Sequence, residues 1–489
     1  MKKCFLLILA FSTLWARPAT SQSQSQPVAI THVTVIDATG APAQPNMTVV
    51  ITGDRITQIG KKVSVPKHAQ LLDATGKFLI PGLWDMHIHI HRTDEPLLLI
   101  ANGVTGVRLM GGVPEYYKMR RQVESGKALG PRMVIASRLL DGPDPRKLPP
   151  PAPGDTAGEA EEWQGMVDGG LPRARIVSNQ ADAKQAVAMS REEGADFIKI
   201  HDELSREAYF ALVEESKKQG FVFVGHVPTG VSAAEASDAG QKSIEHLQGI
   251  LTGCTTDESE LRAATEEALL KPPEQRAQGM LAVQRRTVET FRADDCASLA
   301  ARLVQNQTWQ CPTLVSRLGI RELSSRSDEL LKYVPVALRV RWQRQLASYR
   351  DPPSEEQEVS KMLDQKLAEA IGIMRRAGVK FLAGTDVGPA YKFAGFTLHD
   401  ELTELNKAGF TPMETIQSAT RNAAVFLGKD EDLGTIEKGK LADLVLLDAN
   451  PLEQISNTRK IDAVMVKGRL LDRKALDDLL AQVAAANAK

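Results

Sequence analysis

The chain has 489 residues, a formal net charge of -1 and 43% hydrophobic residues, enough apolar material for a well-packed globular core. The near-neutral charge gives no electrostatic footprint for nucleic acid or an anionic membrane. An aromatic content of 5% leaves little for a base-stacking surface, so no nucleic-acid partner is expected, and no membrane partner for the mature form.

Lys2 and Lys3 precede an apolar run from Cys4 to Trp15, the build of a secretory signal peptide over 1–19 and too short to span a bilayer. Ala16 suits cleavage, and Thr20 to Gln26 reads as a Ser/Gln-rich mature terminus. The expected destination is the periplasm or the cell exterior. Cys254, Cys296 and Cys311 remain after removal of the signal. An oxidising compartment permits one disulfide. Cys254 and Cys296 bracket a polar helical segment and are the better pair, whereas Cys311 sits in the apolar run TWQCPTLV. Three unpaired buried thiols are the alternative. No Cys-x-x-Cys pair exists for a cysteine zinc site.

Residues 28–80 hold short alternating strands, VAITHVTVIDATG, MTVVITGDRITQIG and LLDATGKFLIPG, with turn residues at hairpin spacing. The same grammar returns in GTIEKGKLADLVLLDANP and AVMVKGRLLD. Segments 28–80 and 426–475 are therefore expected to form one composite β-sandwich from both ends of the chain. Between them, 81–425 alternates apolar strand-like runs with amphipathic helices. Eight strands are predicted, LWDMHIH, GVTGVRLM, RMVIAS, DFIKIH, FVFVGH, KSIEHL, WQCPTLV and VKFLAGTD. In SREAYFALVEESKKQG, Tyr209, Phe210, Leu212 and Val213 share a helix face. Repeated strand–helix units with buried strands predict an α/β fold, a (β/α)8 TIM barrel. Proline-rich 141–155 predicts a loop or lid. Polar helical insertions at 255–295 and 318–376 either shape a substrate pocket or decorate the surface, and LDDLLAQVAAANAK predicts a terminal helix.

Several of these strands carry groups that suit metal ions. Side chains two apart on a strand point the same way, so His87 and His89 in DMHIHIH face the barrel interior together. Asp85 and His91 share that parity, Asp85 as a support and His91 just beyond the strand. An HxH pair by itself is more often incidental. His226 and His246 close successive strand-like runs, and Asp386 ends FLAGTD, where a buried carboxylate is costly unless paired or coordinating. Lys199 in FIKI is buried among apolar neighbours, which lowers an amine's pKa. A neutral amine can add carbon dioxide, and the resulting carbamate could bridge two cations. A lysine reaching the barrel rim or paired with an acid is the alternative. Nitrogen and carboxylate ligands suit zinc best, with manganese, cobalt or nickel as substitutes.

Taken together these motifs resemble the amidohydrolase superfamily, in the branch of imidazolonepropionase-like hydrolases, Xaa-Pro dipeptidases and ochratoxin-degrading amidohydrolases. PGLWDMHIHIH is similar to the family's PGLIDxHxH element, GHVPTGVSAAEASDAGQKSIEHL to the branch's paired-histidine stretch, and GTIEKGKLADLVLLD to the C-terminal sandwich signature. GTD carries the family's catalytic aspartate, and the likeness runs from Val28 to Leu471. It implies a (β/α)8 barrel with a composite β-sandwich, hydrolysing C–N bonds at a mono- or binuclear metal centre. His87, His89 and Asp386 would bind the more buried of two divalent ions, most simply zinc, and His226 and His246 the second. Lys199 would be N6-carboxylated and bridge both. Asp386 would act as general base on the bridging water and then pass the proton to the leaving amine.

The implied reaction is cleavage of an amide in a small-molecule substrate such as a dipeptide or N-acyl amino acid, by a metal-activated hydroxide. A lactonase or cyclic-amide hydrolase is the runner-up. A deaminase is less favoured because deaminases generally run on one metal without the bridging lysine. An inert binding scaffold would be expected to have lost ligands, and all six are present. His91, Arg108, His201, Tyr391 and His399 are candidates for contacting substrate, with a surface or supporting role open for each. The 141–155 loop is unlike the dipeptidase pattern. The resemblance permits a homo-oligomer.

Overall fold

The protein is described from a computed structural model over residues 26–143 and 174–488. The signal segment 1–19 and all but the first residues of the proline-rich segment 141–155 lie outside the described residues. Five strands open the chain: β1 (Val28–Val35), β2 (Gln44–Thr52), β3 (Arg55–Gly60), β4 (Gln70–Asp73) and β5 (Phe78–Pro81). Eight follow through the middle: β6 (Leu83–Ile88), β7 (Val104–Leu109), β8 (Arg132–Asp141), β9 (Ala174–Ile176), β10 (Phe197–Ile200), β11 (Phe223–Gly225), β12 (Ser243–Glu245) and β13 (Trp309–Cys311). Three close it: β14 (Leu444–Leu447), β15 (Ile461–Val466) and β16 (Arg469–Asp472).

Strands from the two ends form one mixed sheet in the order β16-β15-β14-β5-β1-β2-β3, with β4 beside β1. Alternation, reset by an irregularity at His32 (φ 56°) between Ile30 and Val33, explains its inner layer. Val28, Ile30, Val33 and Val35 of β1 join Val49 and Ile51 of β2, Leu444 and Leu446 of β14 and Met465 of β15 in one apolar cluster.

The middle strands form a parallel sheet in the order β6-β7-β8-β10-β11-β12-β13, with β9 against β8. All six residues of β6 and all six of β7 are buried, as expected of parallel strands covered on both faces. The eighth expected strand closes the ring without becoming a regular ladder. Leu382 N donates to Gln310 O and Met86 N to Ala383 O, each at 2.9 Å. Isolated bridges join Gln310 to Phe381 and Ile88 to Val387. The ladder breaks because the backbone turns left-handed at Asp386, with φ 52°. Gly384 makes this approach possible, since a Cβ there would lie 2.5 Å from Cys311 Sγ and 2.7 Å from His87 Cβ.

The helix Arg206–Lys218 shows why these segments are helical. Ser205 caps it by accepting from Ala208 N, and Tyr209, Leu212, Val213 and Ser216 form its buried stripe. Phe210 lies at the edge of that stripe and is only half-buried. The terminal helix is Arg473–Ala486, capped by Asp472.

Both insertions are helical. The first holds Glu258–Leu269 and Pro273–Thr290, and a Cys254–Cys296 disulfide pins its base, leaving Cys311 free and buried. Arg292 N donates to Cys254 O at 2.8 Å beside the bond. A crosslink closing a 42-residue separation restricts the unfolded chain, which by chain entropy alone stabilises the fold by about 4 kcal/mol. Replacing both cysteines by alanine is expected to lower unfolding stability by about 2–4 kcal/mol in urea titration. An unchanged midpoint and slope would show that the bond does not form in solution.

Candidate metal centre

All six groups expected to bind metal line one cavity of about 320 Å3 at the C-terminal ends of the barrel strands. His87 and His89 arrive from β6, Lys199 from β10, His226 just after β11, His246 just after β12 and Asp386 on the closing segment. Asp386 Oδ1 lies 3.5 Å from His87 Nε2 and 3.5 Å from His89 Nε2, so three donor atoms face one point. The His246 ring stands 4.7 Å from that of His87 and 4.9 Å from that of His226.

Alternation along β12 should send Glu245 and His246 to opposite faces, yet both touch His87. The backbone resolves this with φ 59° at His246 and 56° at Leu247, which turns the imidazole back over the axis. Asp386 and Thr313, the latter with φ 47° at a β-branched residue, are left-handed as well. Such positions cost about 1–3 kcal/mol each and persist where surrounding structure holds them.

Three of the imidazoles are held by their Nδ1 atoms. His87 Nδ1 donates to Glu245 Oε2 at 2.8 Å, and His246 Nδ1 is hydrogen-bonded to Thr313 Oγ1 at 2.6 Å. His226 Nδ1 lies 2.8 Å from Asp202 Oδ1, a close polar contact whose angle falls outside good hydrogen-bond geometry. Engaging Nδ1 in this way fixes ring orientation and leaves Nε2 available as a ligand atom.

Glu245 is in turn clamped by Arg108. Arg108 Nη2 reaches both Glu245 oxygens at 2.9 Å, Nη1 donates to Ser243 Oγ at 3.0 Å, and Nε donates to Met86 O. Arg108 and Glu245 have no exposed surface. Such a charge pair is retained only with its hydrogen bonds complete.

Electrostatics agrees with a site built to receive cations. Burial, and then the charge of Lys199, hold the His87 imidazole well below its ordinary pKa, and burial brings His226 down to about 3. Burial pushes the Lys199 amine down against the pull of Glu245, Asp202 and Asp386. Lys199 Nζ is fully buried and makes no hydrogen bond among the described residues. For Asp386, burial would raise the carboxyl. The close approach of His89 at 3.5 Å and the charges of His87 and Lys392 outweigh it and hold the group well below the usual carboxylate range. Imidazoles lowered in pKa at His87, His226 and His246, an ionised carboxylate and an unpartnered buried amine are a donor set that fits divalent cations.

The remaining sequence candidates divide. His91 and His201 line the cavity, and His201 Nδ1 donates to Asp141 Oδ2 at 2.7 Å. Asp85 accepts from Thr385 Oγ1 at 2.6 Å and from the amides of Thr385 and His87, which ties β6 to the closing segment. Three expectations are corrected. Arg108 does not face substrate, because its strand position aims it under the histidines toward Glu245. His399 is buried between Thr458 Oγ1 and Asn102 O. Tyr391 packs on Trp342 at 5.4 Å, captured by the helical insertion. Sequence reasoning missed Glu245, Asp202 and Thr313. The first two adjoin or closely follow expected ligands, but parity arguments place neither. It also missed Lys392, whose Nζ donates to Ser316 Oγ at 2.5 Å and to Asp386 O at 3.1 Å and lies 3.7 Å from Asp386 Oδ2.

Asp202 is the support best suited to a test, since its side chain is 40% exposed. Asp202→Asn is expected to weaken binding of one of two zinc ions about 10- to 100-fold in chelator competition, with an unchanged circular dichroism spectrum. Equal affinity for both ions would contradict the orienting role.

The residues 78–471 match the amidohydrolase family. The chain is 23% identical to the ochratoxinase of Aspergillus niger over 478 residues, covering 88% of this chain and 83% of that protein. Among solved structures it is similar to bottromycin amidohydrolase, with a TM-score of 0.71, 24% identity and coverage of 94% of this chain and 91% of the other. An Xaa-Pro dipeptidase with bound methionine aligns with a TM-score of 0.63, 22% identity and coverage of 91% and 100%. The match over most of the chain, on a barrel with this arrangement of side chains, means that the chain belongs to the amidohydrolase family.

Proposed function

We propose that the protein is an exported, metal-dependent hydrolase that cleaves the C–N bond of a small amide, either a dipeptide or an N-acyl amino acid. The observation that carries the proposal is the convergence of six ligand-type groups on one cavity, with three imidazoles held through Nδ1. Family membership supports hydrolysis, and the amide substrate is supported by the names of the similar structures, a bottromycin amidohydrolase and an Xaa-Pro dipeptidase. Export is supported by the Lys2–Trp15 signal pattern and by the Cys254–Cys296 disulfide.

In this reading His87, His89 and Asp386 would hold one divalent ion and His226 and His246 a second, with Lys199, as its N6-carboxylate, available to both. When bound, such ions make water acidic enough to react at neutral pH and polarise a carbonyl. Asp386, held ionised, accepts the proton from the attacking water and returns it to the leaving nitrogen. Lys392 fixes the Asp386 backbone through its bond to the carbonyl. His201, oriented by Asp141, and His91 face the cavity and are placed to contact the substrate. Leu139 and Pro389 supply apolar surface beside them.

Zinc-loaded protein assayed against a panel of dipeptides and N-acyl amino acids tests this. Turnover of at least one class is expected, with a loss of about 100-fold or more in kcat for Asp386→Asn. Failure of the loaded enzyme to cleave any amide in the panel, or an Asp386→Asn variant as active as the native enzyme, would refute the reading.

A further inference from the structure

At the opposite end of the barrel, where the strands begin, lies a second cavity of about 440 Å3 that none of the catalytic groups reaches. Its size falls within the range of about 300–1,000 Å3 typical of small-molecule sites. Trp84, Phe197, Val224, Phe426, Leu433 and Leu441 form an apolar wall. Arg120, Arg132, Lys242, Lys429 and Lys467 stand around it, together with the acids Glu124, Asp196 and Asp432.

The two arginines are already neutralised, Arg120 by Asp196 at 2.6 Å and Arg132 by Asp443 at 2.5 Å. The nearby acid Asp432 is likewise taken by Arg55 at 2.7 Å. The three lysines form no such ion pair among the described residues. Lys467 donates to Val123 O at 3.0 Å and feels Asp443 and Glu124 only from beyond contact. Lys242 immediately precedes β12. It is half-buried, donates to Phe426 O at 2.6 Å and sits 4.7 Å from the centre of the Phe426 ring. An ammonium carries three hydrogens, and that carbonyl takes one of them.

We infer that this basal cavity binds a small amphipathic organic anion, with its carboxylate on Lys242 and the rim lysines and its apolar body against Phe197 and Phe426. An inorganic anion would engage the lysines alone, and a neutral amphiphile the apolar wall alone. Only a ligand with both parts satisfies the whole cavity. Phe197 and Phe426 also flank the Arg108 guanidinium, with their ring centres 5.9 and 5.0 Å from its Cζ. The ligand's apolar body therefore rests on the outer side of the layer that supports Glu245 and His87.

Fluorescence titration of the full-length protein with anilinonaphthalene sulfonate, competed with octanoate, octanol or inorganic phosphate, tests the site. One saturable site is expected, from which octanoate displaces the dye while octanol and phosphate do not. Lys242→Met is expected to weaken octanoate binding about tenfold or more, the loss of one charged hydrogen bond. Lys429→Glu, on the exposed rim where folding is insensitive to charge, is expected to weaken it about threefold through unfavourable charge. If Lys242→Met does not fold, Lys429→Glu decides the matter alone. Octanoate affinity unchanged in the folded variants, or octanol or phosphate competing as well as octanoate, would overturn the assignment.

Discussion

The burial of Lys199 is the constraint to which the rest of the centre answers. Its side chain is 1% exposed, on a strand whose four residues are all buried, and its Nζ has no hydrogen-bond partner among the described residues. An uncompensated ammonium in a protein interior costs several kcal/mol, a large part of a net stability of about 5–15 kcal/mol. Burial therefore selects the neutral amine, which is also the form able to react with carbon dioxide. The groups facing it present lone pairs and few hydrogens, because the Nδ1 atoms of His87, His226 and His246 are turned outward to Glu245, Asp202 and Thr313. A cavity rich in acceptors and short of donors is stable when cations enter it.

That arrangement depends on two devices in the scaffold. Left-handed backbone at His246, Thr313 and Asp386 lets side chains from adjoining sequence positions meet on the barrel axis. Beneath them, the Arg108–Glu245 pair anchors His87 from inside the barrel. The strain and the buried pair are both costly, and both are held in place by a ring of parallel strands closed by the segment around Gly384. The scaffold thus concentrates its unfavourable features where the ligand atoms must be aimed.

Much of this was legible in the sequence because parallel barrel strands read as short apolar runs, and each candidate ligand ended or closely followed one. All eight runs lie in the barrel ring, and the six ligand candidates from them share one cavity. The period-two rule placed His87 with His89 correctly. It gives no means of bringing Glu245 and His246 to the same ring, since a left-handed turn has no signature in a histidine. Arg108 looked like a substrate contact because it lies near a strand end, and nothing in its neighbours announces Glu245, which is 137 positions away. Tyr391 and His399 were misjudged for a related reason, as the helical insertion and the Asn102 turn that cover them are remote in the chain.

Metal content measured by mass spectrometry on native protein and on Lys199→Ala probes the central claim most directly. Two divalent ions per chain are predicted for the native protein, with at least one lost and hydrolysis abolished in Lys199→Ala, and partial recovery when a short carboxylate such as formate is supplied. Native protein that binds no ion, or a Lys199→Ala variant that keeps two ions and full activity, would contradict it.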